Sequence, residues 1–254
     1  MVIPDTLVWI VNDFVLVLII ASVAALLTYL GAPAAERFDV PFRWVSAALQ
    51  FAAGIITGLV VFSLMPTVAR DGPLPFVVLA FFIGGALFVW VEYYAAQRQA
   101  KDDPAAERPP GSFGFYFGVL IDLVVDGVVI GVGSALSLAT GLMLALGMAI
   151  STVPLAFVTI ATAKRQGMAK ERRRLLSYSF FGCIVGGAIL GYGLLRNQTE
   201  AVQLTLLALA SGFLITMVTQ SIIPEANREG EPSFAGILFV GGLSLYAMMS
   251  LMIR

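Results

Sequence analysis

Histidine is absent from all 254 residues, which removes the commonest transition-metal ligand and the usual physiological pH switch. The single cysteine, Cys183, excludes an intramolecular disulfide and any metal site built from paired cysteines. Charge is scarce too. Asp, Glu, Lys and Arg make up 12% of the chain, against about 25% in an ordinary globular domain. With a net charge of −1 there is no basic field to attract nucleic acid. What is present is apolar: 59% of residues are hydrophobic and the mean hydropathy is +0.93. A soluble fold of this length could not hide so much apolar surface. The composition predicts an all-α, polytopic integral membrane protein with little mass outside the bilayer.

A helix crossing the hydrocarbon core needs about 20 mostly apolar residues. Eight such stretches are legible, over 6–32, 43–69, 74–95, 113–137, 139–163, 174–195, 201–226 and 234–253. The first lacks a basic leader and a small-residue cleavage site, so it reads as a retained helix and not a signal peptide. Placing both termini outside puts twelve of the fifteen Lys and Arg residues in the loops after the first, third, fifth and seventh helices. The positive-inside rule favours that topology, in an inner (cytoplasmic) or plasma membrane. The whole chain, 1–254, then forms one transmembrane domain. Its longest polar segment, 97–112, is charged and Pro-rich and reads as a flexible cytoplasmic linker. The basic run Lys164–Arg174 reads as topology-setting charge beside anionic lipid.

Part of the chain repeats itself. Aligning Ala52-Ala53-Gly54 with Ala210-Ser211-Gly212 and continuing without gaps pairs Val60 with Val218, Ser63 with Ser221, Pro66 with Pro224 and Arg70 with Arg228. The second and seventh helices run in opposite directions under the charge-derived topology. A weaker match joins the fourth and fifth helices, through Gly118/Gly147, Ile121/Ile150, Val124/Val153 and Val129/Val158. Inverted repeats recur in secondary transporters, where exchanging the conformations of two related halves opens one site to alternate sides. The expectation is helices 1–3 inverted against 6–8, and helix 4 against 5.

Acidic groups at the centre of a membrane helix cost about 2.5–3.5 kcal/mol on the insertion scale, so a chain keeps them for a cavity, an ion or a partner. The fourth helix carries two, Asp122 and Asp126. Their i, i+4 spacing stacks both carboxylates on one face, as hard oxygen ligands for one cation. The alternative is a structural role, with both hydrogen-bonded to neighbouring helices. In the fifth helix, Pro154 removes a backbone donor and clashes with the Ile150 carbonyl, predicting a kink. Ser151 and Thr152 could repair that kink or join a cation's oxygen shell. Asp13, Ser63, Gln220 and Ser221 are candidates to line a pathway, with Pro66 and Pro224 as further kinks. Small residues along Gly182–Gly191 predict a close helix seam, within one subunit or at a dimer. Nucleophilic catalysis lacks its histidine and no glycine loop sits in a strand–turn–helix setting, so an enzyme is not expected.

These features together resemble the ZIP family of divalent-metal transporters, over essentially the whole chain. Phe51-Ala52-Ala53-Gly54 through Met65-Pro66 is similar to the family's second helix, and Ile223-Pro224-Glu225-Ala226 to the end of its seventh. The family's fourth-helix pattern, His-Asn-x-Pro-carboxylate-Gly, here reads Asp122-Leu123-Val124-Val125-Asp126-Gly127. Its fifth-helix pattern, His-x-x-Pro-Glu-Gly, here reads Ser151-Thr152-Val153-Pro154-Leu155-Ala156. The resemblance implies eight helices, outside termini, an elevator-like alternating-access mechanism, a homodimer and a metal site between the fourth and fifth helices. Here that site would comprise Asp122, Asp126, Ser151 and Thr152. Such all-oxygen chemistry suits magnesium, calcium or manganese better than zinc. No prosthetic group is implied; the metal cation would be cargo. Two other readings stay open: a proton- or monovalent-cation-handling carrier, and a non-transporting regulatory subunit.

Overall fold

A computed structural model describes residues 5–38, 41–102, 112–227 and 234–253. Those residues are almost wholly helical, with no strand among them. With no water in the hydrocarbon core, every backbone group must be satisfied within its own helix, and long apolar runs fold accordingly. The helices are α1 (Asp5–Arg37), α2 (Phe42–Leu59, carried on through Val60–Leu64 and Met65–Asp71), α3 (Leu74–Asp102), α4 (Ser112–Leu136), α5 (Leu138–Arg165), α6 (Lys170–Leu195), α7 (Glu200–Met217, carried on through Val218–Ile222 and Ile223–Ala226) and α8 (Ala235–Ile253). All eight contain a segment long and apolar enough to cross a membrane. The protein is therefore an integral membrane protein with eight candidate spans. Helix α3 continues to Asp102, into the segment read as a linker, and 103–111 lie outside the described residues.

Local chemistry fixes the turns. Ser137 ends α4 and caps α5, its hydroxyl accepting from the Thr140 backbone N–H at 3.0 Å. Between α5 and α6 the chain reverses through Gly167 at φ +74, in the left-handed region that glycine enters without a Cβ clash. Hydroxyls inside the helices mostly bond back to the preceding turn, as Thr28 does to Ala24 O (3.0 Å) and Thr159 to Leu155 O (2.7 Å). They are thereby satisfied without water.

Four helices are central and four peripheral. The apolar windows of α2, α4, α5 and α7 are 61–67% buried inside the protein, whereas those of α1, α3, α6 and α8 are only 22–33% buried. The most extensive packing pairs α4 with α6, α1 with α5, α2 with α8 and α3 with α7. Contacts α1–α6 and α4–α5 join the first two pairs into one bundle of α1, α4, α5 and α6. The α2–α5 contact is the broadest link between that bundle and α2, α3, α7 and α8.

Glycines set the closest approaches. Lipid offers no hydrophobic drive between helices, so association depends on backbones coming near enough for dispersion and weak polar contact. A Cβ at Gly127 or Gly131 of α4 would strike the carbonyls of Ile184 or Ala188 in α6, and Gly187 and Gly191 return the contact at Val124 and Val128. Of the small residues read as a seam in the sixth helix, Gly187 and Gly191 thus lie against α4, while Gly182 and Gly186 meet nothing within 4 Å. Gly54 and Gly242 hold α2 against α8 at the carbonyls of Phe239 and Phe51, while Gly212 and Gly84 hold α7 against α3 at those of Phe81 and Leu209.

The carry-on segments of α2 and α7 are π turns. The Met65 N–H reaches back five residues to Val60 O, and the Ile223 N–H likewise reaches Val218 O. Pro66 and Pro224 each follow directly, in the first turn of the resumed α-helix. The extra residue of a π turn accommodates a proline that a regular helix would meet with a steric clash. Pro154, by contrast, lies inside an α5 that runs unbroken from Leu138 to Arg165.

One substitution pair tests the α4–α6 seam. Gly187→Ala should destabilise the protein by about 1–3 kcal/mol, the usual cost of overpacking, because its Cβ would meet Val124 O and lie 3.0 Å from Gly127 Cα. Gly186→Ala faces open space within 4 Å and should change little. Thermal unfolding in detergent micelles compares the two.

Candidate cation site

Asp122 and Asp126 straddle the middle of α4, one turn and about 6 Å of rise apart. Gly127 and Gly131 take up the α6-facing side of that helix. Gly133, seven residues past Asp126 and so on its face, packs against the Leu144 side chain of α5. The acidic face is therefore turned away from α6 and towards α5 and the protein interior. Both residues are sealed from solvent, at 1% and 4% exposure. Neither oxygen of Asp122 has a hydrogen-bond partner among the described residues. One turn apart on the same face of α4, the two carboxyls repel when both are charged.

The α4–α5 register follows from the turn between them. Ser134 lies against Gly141 and Gly133 against Leu144. Carried along two antiparallel helices, that pairing sets Asp126 level with about 149–151 and Asp122 with about 153–155. Ser151 lies seven residues past Leu144, on the same face of α5, and so looks towards α4. Its hydroxyl donates to Met148 O at 2.8 Å, which leaves its lone pairs unclaimed by that bond. Thr152 is directed elsewhere. Its hydroxyl oxygen lies 2.8 Å from Met148 O and 2.6 Å from Thr28 Oγ1 of α1, and one of the two hydroxyls gives its proton to the other in place of a backbone carbonyl. Of the four residues read as one site, three converge on the α4–α5 interface, and Thr152 is drawn into the α1–α5 seam.

The pathway candidates do not gather around that interface. Asp13 is exposed near the start of α1. Ser63 sits in the α2 π turn, half-buried, its hydroxyl 2.8 Å from Tyr246 Oη of α8. In the α7 π turn, Gln220 is exposed and Ser221 donates to Glu92 Oε1 at 3.3 Å. Among the described residues no group of three or more acidic or cysteine side chains converges as a metal site would. A cation here would complete its shell with hydroxyl and carbonyl oxygens.

Sequence reasoning passed over several polar partners. Thr28 is fully buried and carries no signal beyond being a hydroxyl in an apolar helix. Gln50 donates to Asn227 Oδ1 at 2.9 Å, tying α2 to the end of α7. At the end of the bundle bearing the α5–α6 turn, Arg173 grips both Glu36 carboxylate oxygens, at 2.5 and 2.9 Å. Arg173 also donates to Met168 O, and Lys164 Nζ donates to Glu36 O at 3.3 Å. Part of the basic run thus clamps α1 to the α5–α6 turn.

No protein-family model matches the chain, and no curated protein matches it significantly.

The clamp gives a prediction. Glu36→Gln and Arg173→Gln should each lower the unfolding temperature, and the double variant should be no worse than the worse single. That non-additivity is the mark of one shared interaction. It is read by a double-mutant cycle on thermal unfolding.

Proposed function

We propose that the protein is a ZIP-like secondary transporter that moves a divalent metal cation across the membrane, with Asp122 and Asp126 as its midplane ligands. One observation carries this reading: a carboxyl at the middle of a membrane helix, sealed within the protein, with neither oxygen bonded to any of the described residues and a second carboxyl one turn away. Such groups are expensive to keep in a membrane and mark ion pathways by default. Ser151 would add a neutral oxygen from α5 at the level of Asp126. Two carboxylates and hydroxyls form a hard donor set, which favours magnesium, calcium or manganese over zinc.

The packing supports alternating access between two related halves. Exchanging α1 with α6, α2 with α7, α3 with α8 and α4 with α5 maps the four most extensive helix pairs onto one another. It also matches the burial of each helix to that of its mate. The gap-free alignment of the second and seventh helices extends into α3 and α8, pairing Phe81 with Phe239 and Gly84 with Gly242. Each of those glycines abuts a backbone carbonyl, in α3–α7 and in α2–α8 respectively. Both π turns fall at aligned positions, Val60–Leu64 and Val218–Ile222. Matching halves that point opposite ways are the architecture of inverted-repeat transporters. The candidate ligands all belong to the α1/α4/α5/α6 bundle, which fits an elevator-like movement of that bundle against the other four helices.

The test is flux. Proteoliposomes holding the protein should show saturable uptake of manganese or magnesium, and the Asp122→Asn/Asp126→Asn double variant should fall to the level of empty liposomes. Wild-type uptake that survives in the double variant rejects these residues as the site. A second reading is favoured by the lack of a third acidic ligand among the described residues: the pair carries a proton or monovalent cation. Flux that follows a pH or sodium gradient and ignores divalent ions would select it.

A further inference from the structure

Helix α8 is peripheral, yet its Tyr246 is 1% exposed and among the largest fully buried side chains of the protein. Two glycines make room for the side chain. A Cβ on Gly147 of α5 would sit 3.2 Å from ring carbons Cδ2 and Cζ, and one on Gly58 of α2 would sit 2.9 Å from Tyr246 Cβ. The hydroxyl is held at 2.8 Å from Ser63 Oγ, in the π turn of α2. Tyr246 therefore reaches out of the α2/α3/α7/α8 bundle and rests on the backbone of α5, in the bundle that carries the acidic pair.

Its level along α5 matters. Gly147 is four residues before Ser151, on the same face and one turn nearer the Ser137 end of the bundle. The tyrosine ring thus meets α5 at a level between that end and Asp126. The aligned position in the other half does something different. Phe88 of α3 has no hydroxyl and packs edge-on against Phe213 of α7, with ring centroids 5.0 Å apart. Ser221, the mate of Ser63, meets Glu92 instead, and its neighbour Gln220 is exposed. Only one half carries the phenol–serine latch, so the two ends of the bundle are not equivalent.

We propose that Tyr246 is a gate that closes the acidic site from the Ser137 end, held shut by its hydrogen bond to Ser63. The proposal rests on the carrier reading, in which the site must open to each side in turn. Glycine at 147 is what lets the Cε2 edge of the ring come up against α5, and the hydroxyl bond is weak enough to break and re-form during a cycle.

Cysteine accessibility tests it without any cargo. In a Cys183→Ala background, Ser151→Cys reports on the site and Ser137→Cys, at an exposed position, marks the face from which reagent is added. Intact protein in vesicles is treated with a membrane-impermeant methanethiosulfonate. Ser151→Cys should resist labelling from the Ser137 face while Tyr246 and Ser63 are present. Ser63→Ala and Tyr246→Phe, which keep the ring and remove only the bond, should each speed labelling from that face roughly fivefold, the population shift one neutral hydrogen bond supplies. Tyr246→Ala should speed it further. Labelling from the opposite face should not rise. Unchanged labelling in all three variants overturns the gate, and an equal rise from both faces overturns it too, because that reports loosened packing. Labelling that rises from one face in a protein with no cation flux would retain the gate and reject the carrier; flux with unmoved labelling would do the reverse.

Discussion

Inside a bilayer the hydrophobic effect that assembles soluble cores is spent once the helices have entered the lipid, since a lipid tail is as good a neighbour as a leucine. What remains to bring helices together is short-range attraction, which needs backbones at close quarters. The glycines of α4 and α6, of α2 and α8, and of α3 and α7 supply that proximity, each against a carbonyl of the facing helix. The fold depends on those crossings. They determine which helices pair, and hence which residues are carried inside the protein and which are left to lipid.

The acidic face of α4 is a consequence of the same arrangement. With Gly127 and Gly131 committed to α6, the opposite side of the helix has to look into the protein, and Asp122 and Asp126 lie there. Burial leaves them few companions: Ser151 across the interface, and no oxygen of Asp122 bonded to any of the described residues. Charged groups are tolerated at this depth when something neutralises them. Under the proposed function, a transported cation or a carried proton would supply that neutralisation.

Helix number, approximate ends and the acidic pair were legible in the residues because length, hydropathy and i, i+4 spacing are local properties. The alignment of the second helix with the seventh was legible for the same reason, through Gly54/Gly212, Ser63/Ser221 and Pro66/Pro224. Its continuation through Phe81/Phe239 and Gly84/Gly242 was equally present in the sequence, but only the paired carbonyl contacts give those glycines a meaning. Other features were not readable. Nothing local says that Thr152 turns to Thr28, that Tyr246 meets Gly147, or that Arg173 finds Glu36, because each joins residues far apart in the chain and on different helices. The prolines were read as kinks, whereas two of them follow turns widened by one residue.

Those widened turns have a mechanical consequence. A π turn holds one residue more than the helix around it needs, and moving that surplus along the helix rotates every side chain it passes by about 100°. Ser63 and Ser221 both lie on such a stretch. Sliding the surplus by a single position would swing either hydroxyl away from its present neighbour with no helix unwinding and no loop displaced. Helices α2 and α7 each hold the surplus residue that such a rotation would need, and a one-residue deletion there would remove it by restoring uniform winding.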